Sequence, residues 1–178
     1  MARMQLGSNV VVPAIVVGGN EVAGYTLDDE GVARPISGHV VIKGVKTASY
    51  RSFFYRFAGC GSMTRISFPD LVHVEPQGFQ RICSDCTNLS MVDFEKLEVI
   101  DGAGFTGAFN SCTSLGDIRF PALRSVGQGA FGTSSLCFAK CTGLLNIWFP
   151  AAMQSQIEGL TGYASKFGAV NATIHFTL

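Results

Sequence analysis

The sequence predicts a mainly β fold with short helices: a solenoid of about four coils, capped at both ends. Three observations carry this. A phrase headed by cysteine recurs at Cys60, Cys86, Cys112 and Cys141, at spacings of 26, 26 and 29 residues. Its apolar positions hold register from copy to copy. The text changes on either side of it, which divides the chain into an N-terminal block 1–52, a repeat region 53–150 and a tail 151–178.

The copies read CGSMTRISFPDLVHV, CTNLSMVDFEKLEVI, CTSLGDIRFPALRSV and CTGLLNIWFPA. Counting from each cysteine, position +3 holds Met63, Leu89, Leu115 and Leu144. Position +6 holds Ile66, Val92, Ile118 and Ile147, and position +8 holds Phe68, Phe94, Phe120 and Phe149. Leu71, Leu97 and Leu123 follow at +11, Val74, Ile100 and Val126 at +14, and Phe79, Phe105 and Phe131 at +19. One coil cannot bury so many apolar groups alone, whereas stacked coils bury them against each other. The apolar–polar–apolar alternation from +6 to +8 has the strand period. Pro69, Pro121 and Pro150 end that strand, because proline cannot donate to a ladder; Glu95 stands in the second copy. A second short strand covers +11 to +14. A glycine corner at Gln77-Gly78, Ala103-Gly104 and Gly129-Ala130 then turns the chain through positive φ.

The N-terminal block reads as strands at Val10–Val17 and His39–Val45, with a turn at Asp28-Asp29-Glu30-Gly31 between the extended arms of 25–34. It serves either as a cap on the first coil or as an attachment module, and a cap that also attaches is the preferred reading. In the tail, Ala151–Leu160 forms a short amphipathic helix ended by glycines around Thr161. The alternating segment Thr173–Leu178 forms a closing strand with Ile174, Phe176 and Leu178 inward.

Composition narrows the function. Hydrophobic residues make up 47% and charged residues 15%, which excludes disorder and favours a buried core. Thirteen basic and 13 acidic residues balance to zero, so duplex nucleic acid and anionic membrane are not expected partners. The apolar run Val10–Val17, broken by Pro13, is too short to span a bilayer and lacks the cleavage pattern of a signal peptide, so synthesis in a cytoplasm is expected.

Four of the six cysteines share one repeat position, so their side chains should stack in a parallel column. Disulfides need Cβ vectors that face each other. Cys83-x-x-Cys86 and Cys137–Cys141 stand alone, without the second pair of a zinc site. Buried thiols acting as small apolar residues are the preferred reading of this structural ladder, with metal or redox chemistry as the alternative. His39, His73 and His175 lie in separate segments without metal-ligand spacing, and no nucleophile–base, phosphate-loop or paired-carboxylate motif occurs. The expectation is a non-enzyme without cofactor or metal.

The phrase Cys-Thr-Ser-Leu-x-x-Ile-x-Phe-Pro-x-Leu-x-x-Val, with its Phe corner, resembles the BspA-type leucine-rich repeat over residues 53–152. Departures are Glu95 for proline, Met63 for leucine and an insertion around Gly132-Thr133-Ser134. The resemblance implies a right-handed leucine-rich-repeat solenoid and a binding or structural role. The opening MARMQLGSNVVVPAIVV and the ending KFGAVNATIHFTL resemble short BspA-repeat proteins of phages and prophages of gut bacteria. That implies a virion-associated fibre, tail-tip or head-decoration protein. Its partners would be protein or glycan on a bacterial surface, and other virion proteins through the N-terminal block. A bacterial cell-surface adhesin of the same repeat family is the alternative.

The outward columns supply the candidate recognition surface. Position +7 holds Ser67, Asp93, Arg119 and Trp148, and position +12 holds Val72, Glu98 and Arg124. Coils sit ~4.8 Å apart along a ladder, so Asp93 should lie beside Arg119, Arg119 beside Trp148, and Glu98 beside Arg124. These residues form either a polar–aromatic patch for sugar or protein, with Trp148 as its anchor, or self-neutralising surface ladders. Trp148 is either exposed or covered by the C-terminal helix. Homo-oligomerisation is compatible with the sequence.

Overall fold

Apolar residues two apart, followed by proline, extend the chain briefly and then turn it. Repeated every 26 residues, that pattern brings equivalent strands side by side. The computed structural model describes residues 38–177 throughout and, before them, six short strands: β1 (Met4–Leu6), β2 (Val10–Val12), β3 (Val16–Val17), β4 (Asn20–Glu21), β5 (Tyr25–Leu27) and β6 (Ala33–Pro35). Then follow β7 (Gly38–Ile42), β8 (Thr47–Ala48), β9 (Met63–Ser67), β10 (His73–Val74), β11 (Met91–Asp93), β12 (Val99–Ile100), β13 (Asp117–Arg119), β14 (Ser125–Val126), β15 (Asn146–Phe149) and β16 (Thr173–Phe176).

The first strands of the coils build two parallel ladders, β7-β9-β11 and β13-β15-β16. Val40, Ile66 and Val92 are direct partners across β7, β9 and β11; Ile118, Ile147 and Ile174 are partners across β13, β15 and β16. The second strand builds another column, β8-β10-β12-β14, with Ala48, Val74, Ile100 and Val126 in register. β7 and β8 lie in the block 1–52, yet each adds a layer to a parallel column. β1 then pairs antiparallel with both β7 and β2. β5 pairs antiparallel with β6, while the turn expected at Asp28-Asp29-Glu30-Gly31 and the inward position expected for Leu178 fall outside the described residues.

Between the columns the apolar positions are buried as their register predicts. The +8 rings stack with centroids 5.7, 5.6 and 5.3 Å apart from Phe68 through Phe94 and Phe120 to Phe149. Of the +19 rings, Phe79 meets them tilted, at 40–45°, and Phe105 and Phe131 edge-on, as where Phe94 and Phe105 cross at 89°. Such ring pairs add ~0.5–1.5 kcal/mol each beyond area burial.

The third side of each coil is neither helix nor strand. Over residues 52–60, alternate amides bond back within the coil (Phe54 N–H to Arg51 O, Arg56 N–H to Phe53 O), and the intervening ones bond the next coil (Phe53 N–H to Gly78 O, Tyr55 N–H to Gln80 O). The following coils repeat this at Phe79, Arg81 and Cys83, and at Phe105, Gly107 and Phe109. Half of the return limb's donors are therefore satisfied only by stacking, each net bond being worth about 1 kcal/mol.

That zigzag requires left-handed residues at regular intervals: Arg51, Tyr55 and Gly59; Gln77, Arg81 and Asp85; Ala103, Gly107 and Ser111. The corner glycines carry this less than expected. Positive φ falls on Gln77 and Ala103, one residue before the glycine, and on glycine itself only at Gly129. Gly78 is needed for close approach instead: a Cβ there would collide with the Ala48 carbonyl oxygen of the preceding coil.

The tail covers the last coil. A 3-10 turn over Ala151–Met153 runs into α1 (Gln154–Glu158), burying Met153 and Ile157, with Leu160 buried just beyond. Phe167 packs 4.6 Å from Phe131. β16 closes the stack, with Ile174 and Phe176 half-buried against the core. Among the described residues, no helix is long and apolar enough to cross a membrane.

Candidate functional site

Cysteines are the most nucleophilic side chains of this protein. All six are free and buried. The thiol of Cys86 donates to the Phe57 carbonyl at 2.9 Å, that of Cys112 to the Cys83 carbonyl at 3.0 Å and that of Cys141 to the Phe109 carbonyl at 2.9 Å. Burial raises the thiol pKa of Cys83, Cys112 and Cys137, and that of Cys141 to about 12. Cys60 is also pushed up, first by its hydrogen bond with Cys86 and then by burial, whereas Cys86 is drawn down by the hydrogen bonds it shares with Cys60 and Cys83, against its burial. A thiol held protonated and bonded to backbone acts as a packing group rather than a nucleophile. Cys83 fits the same logic, occupying the place that Phe57 and Phe109 hold in the neighbouring coils, with its amide bonded to the next coil as theirs are. Among the described residues no three His, Cys, Asp or Glu side chains form a group that could hold a metal ion.

The outward columns differ from expectation at Asp93. Its carboxylate accepts from Arg65 Nε at 2.7 Å and from Ser67 Oγ at 2.6 Å, toward the preceding coil rather than toward Arg119. Arg119 instead pairs with Asp117 at 3.7 Å on its own strand and lies 4.7 Å from the Trp148 ring on the next. The reason lies in the ladder. β11 pairs with β9 and β13 with β15, and the first-strand column divides between β11 and β13. Asp93 and Arg119 are thus the last and first residues of two separate outward rows. The Glu98–Arg124 pair forms as its register predicts, at 2.7 Å between exposed side chains, and contributes ~0–1 kcal/mol.

Trp148 is not the exposed platform that would anchor a sugar. The His175 ring stacks on it at 4.0 Å and 15°, and Arg119 lies over it at 4.7 Å. The closing strand, not the C-terminal helix, provides that cover. His175 Nε2 bonds Asn146 Oδ1 at 2.8 Å, and Asn146 Nδ2 donates to Asp117 at 2.8 Å, which fixes the sandwich from the side.

The other histidines are bonded within the surface rows. His73 bonds Asp101 at 2.8 Å across one coil. His39 Nε2 lies 2.7 Å from Ser67 Oγ, whose own proton goes to Asp93, so His39 is the donor in that pair. Burial and then the Arg65 charge lower the His39 pKa, against the opposing pull of Asp93. A serine that gives its proton to a carboxylate and accepts from a neutral imidazole is ordered for structure, not for attack.

A denser cluster lies on the return limb, and the reading of outward strand columns passed it over. Tyr50 and Tyr55 are 60% and 38% exposed. Arg51 lies 4.2 Å from the Phe54 ring centre and 5.9 Å from that of Tyr50; Arg81, one coil on, lies 5.6 Å from Tyr55. Phe54 and Tyr55 meet edge to face at 4.6 Å. The return limbs carry Arg51, Arg56, Arg81 and Lys140 against one acid, Asp85, whereas on the corner side Asp70, Glu75, Glu95, Glu98 and Asp101 are balanced by Lys43, Lys46, Lys96 and Arg124. A local signal existed in the run Tyr-Arg-Ser-Phe-Phe-Tyr-Arg at 50–56. It straddles the boundary at residue 53, before the first cysteine, so the repeat register never numbered it.

No protein-family model matches the chain, and no curated protein matches it. Among solved structures, it is similar to the crystal structure of a leucine-rich repeat protein of T. pallidum. The two share 19% identity over 86% of this chain and 78% of that one, with a TM-score of 0.40.

With Trp148 covered and Asp93 turned away from Arg119, the strand-side candidates Asp93, Arg119, Trp148, Glu98 and Arg124 are spread over two outward rows and a corner ladder. The return limb is where exposed rings and cations converge.

Proposed function

We propose that this chain is a non-catalytic recognition and structural protein: a right-handed leucine-rich-repeat solenoid of BspA type, with about four coils. In this reading it belongs to a phage or prophage particle of a gut bacterium, as a fibre, tail-tip or head-decoration protein. Its N-terminal block joins other virion proteins, and the side of the stack meets host-surface protein or glycan.

The observation that supports a binding role is the way the stack makes surface. Parallel columns joined coil to coil hold outward side chains in fixed rows, where Ser67 bonds Asp93 and His73 bonds Asp101 from one coil to the next. Rigid, extended surfaces of this kind suit recognition. The particle assignment rests on the resemblance of the two chain ends.

Gradient-purified particles of a phage carrying this gene test it. Peptides of the protein co-migrating with capsid and tail proteins agree with the reading. Recovery only in the soluble lysate would overturn the virion role, and recovery in the envelope of uninfected cells would favour the adhesin.

A further inference from the structure

We propose that the aromatic–arginine ridge of the first two return limbs, formed by Tyr50, Arg51, Phe54, Tyr55 and Arg81, is the recognition surface and that it binds an acidic polypeptide segment. The proposal deepens the binding role above and does not depend on the particle assignment.

Three observations carry it. The first is the pairing of arginines. Arg65, Arg119 and Arg124 each meet an acidic side chain at 2.7–3.7 Å. Among the described residues, Arg51 and Arg81 meet rings and have no carboxylate partner. A guanidinium stacked on an aromatic face keeps its in-plane donors for a planar, doubly hydrogen-bonded carboxylate.

The second is backbone cost. Arg51, Tyr55 and Arg81 all have positive φ, at 54°, 52° and 54°. The third coil places Ala103 and Gly107 at the positions equivalent to Arg51 and Arg81. Small residues therefore suffice for the zigzag, and the first two coils hold large side chains where the backbone disfavours them. Left-handed backbone also recurs at Gln77, Asp85 and Ser111, so what marks the ridge is the large aromatic and arginine side chains carried on it rather than the strain itself.

The third is composition and charge. Tyr, Phe and Arg are the residue types that concentrate energy in protein interfaces. The return side carries four cations against one acid. Sugar stacking favours a platform of open ring faces; here Arg51 covers Phe54 and Arg81 lies over Tyr55, which leaves Tyr50 as the open ring of the ridge. An acidic peptide fits this arrangement better than a glycan does.

The test uses the full chain and a short peptide of alternating glutamate and glycine, with its glutamine counterpart and polygalacturonate as comparison ligands. Calorimetry at low salt should show saturable binding of the glutamate peptide alone, weakening as salt is raised. Arg51→Gly with Arg81→Gly removes the ridge cations and relieves two left-handed positions. This variant should unfold at a higher denaturant midpoint than the parent, yet bind at least about ten-fold more weakly, as expected when large side chains are kept at disfavoured positions for binding. Arg119→Gln with Arg124→Gln removes equal charge from the strand side and should bind as the parent does. The proposal fails if the parent does not bind the glutamate peptide, if both double variants lose binding equally, or if polygalacturonate is the ligand bound. Any of these failures leaves the particle fractionation result standing on its own.

Discussion

The Trp148 indole and the His175 imidazole lie nearly parallel, 15° apart in plane and 4.0 Å between centroids, where the closing strand joins the last coil. This one stack converts the most conspicuous recognition candidate into part of the C-terminal cap. Because Trp148 is the single tryptophan, its fluorescence reports on that cap directly. His175→Ala should shift the emission to the red, increase quenching by iodide, and cost about 0.5–1.5 kcal/mol in denaturant unfolding. Trp148→Phe keeps a ring and removes a buried Nε1–H that has no partner among the described residues, so its cost should stay below about 1 kcal/mol.

The thiols should be silent in the native state. Each is buried, and burial holds Cys83, Cys112, Cys137 and Cys141 protonated through neutral pH. A chromogenic disulfide reagent at pH 8 should label them no faster than the protein unfolds, and should titrate all six in denaturant. Rapid labelling of one cysteine in native protein would reopen redox or catalytic chemistry.

Left-handed positions give a pair of substitutions with opposite signs. Ala103 sits at φ 61°. Ala103→Gly should stabilise by about 0.5–1 kcal/mol, the left-handed penalty outweighing glycine's greater unfolded-state freedom. Gly107 sits at φ 59°, and a Cβ there would lie 2.6 Å from Ser135 Oγ. Gly107→Ala should destabilise by about 1–3 kcal/mol. Equilibrium urea unfolding measures both.

His39 sets a pH dependence. Its folded pKa lies below its ordinary value of 6.5, so folding favours the neutral ring. The stability it contributes is present above about pH 6.5 and is lost as pH falls toward the depressed folded value. Arg65, Ser67 and Asp93 are the groups it faces, and Asp93 moderates the effect. The urea midpoint should fall between pH 7.5 and 5.5. In His39→Gln, which keeps a donor for Ser67, that fall should be smaller.

Much of this fold is legible in the residues themselves. Ile118 and Phe120 are two apart on one face, and 26-residue spacing makes Ile66 and Val92 their counterparts, so the buried columns follow from the text. Two features are not legible. The split between β11 and β13 leaves Asp93 with Arg65 rather than Arg119, and an acid flanked by arginines on both sides has no preference written in sequence. The return limb has buried residues at Phe105, Phe109 and Cys112, a helix-like spacing, while its left-handed residues forbid a helix. Its zigzag arises from cross-coil hydrogen bonds, which local propensity does not encode. The ridge is half legible: Tyr50, Arg51, Phe54 and Tyr55 form one local run, whereas Arg81 joins them only through the stacking of the next coil.

A hydrogen-exchange footprint of the full chain, with and without the glutamate–glycine peptide, tests the central claim most directly: recognition belongs to the return side of the stack. Slowed exchange should gather in segments 50–57 and 79–85, with the amides around Trp148 unchanged. Protection centred on Asp93, Arg119 and Trp148, or none at a peptide concentration that saturates binding, would contradict it.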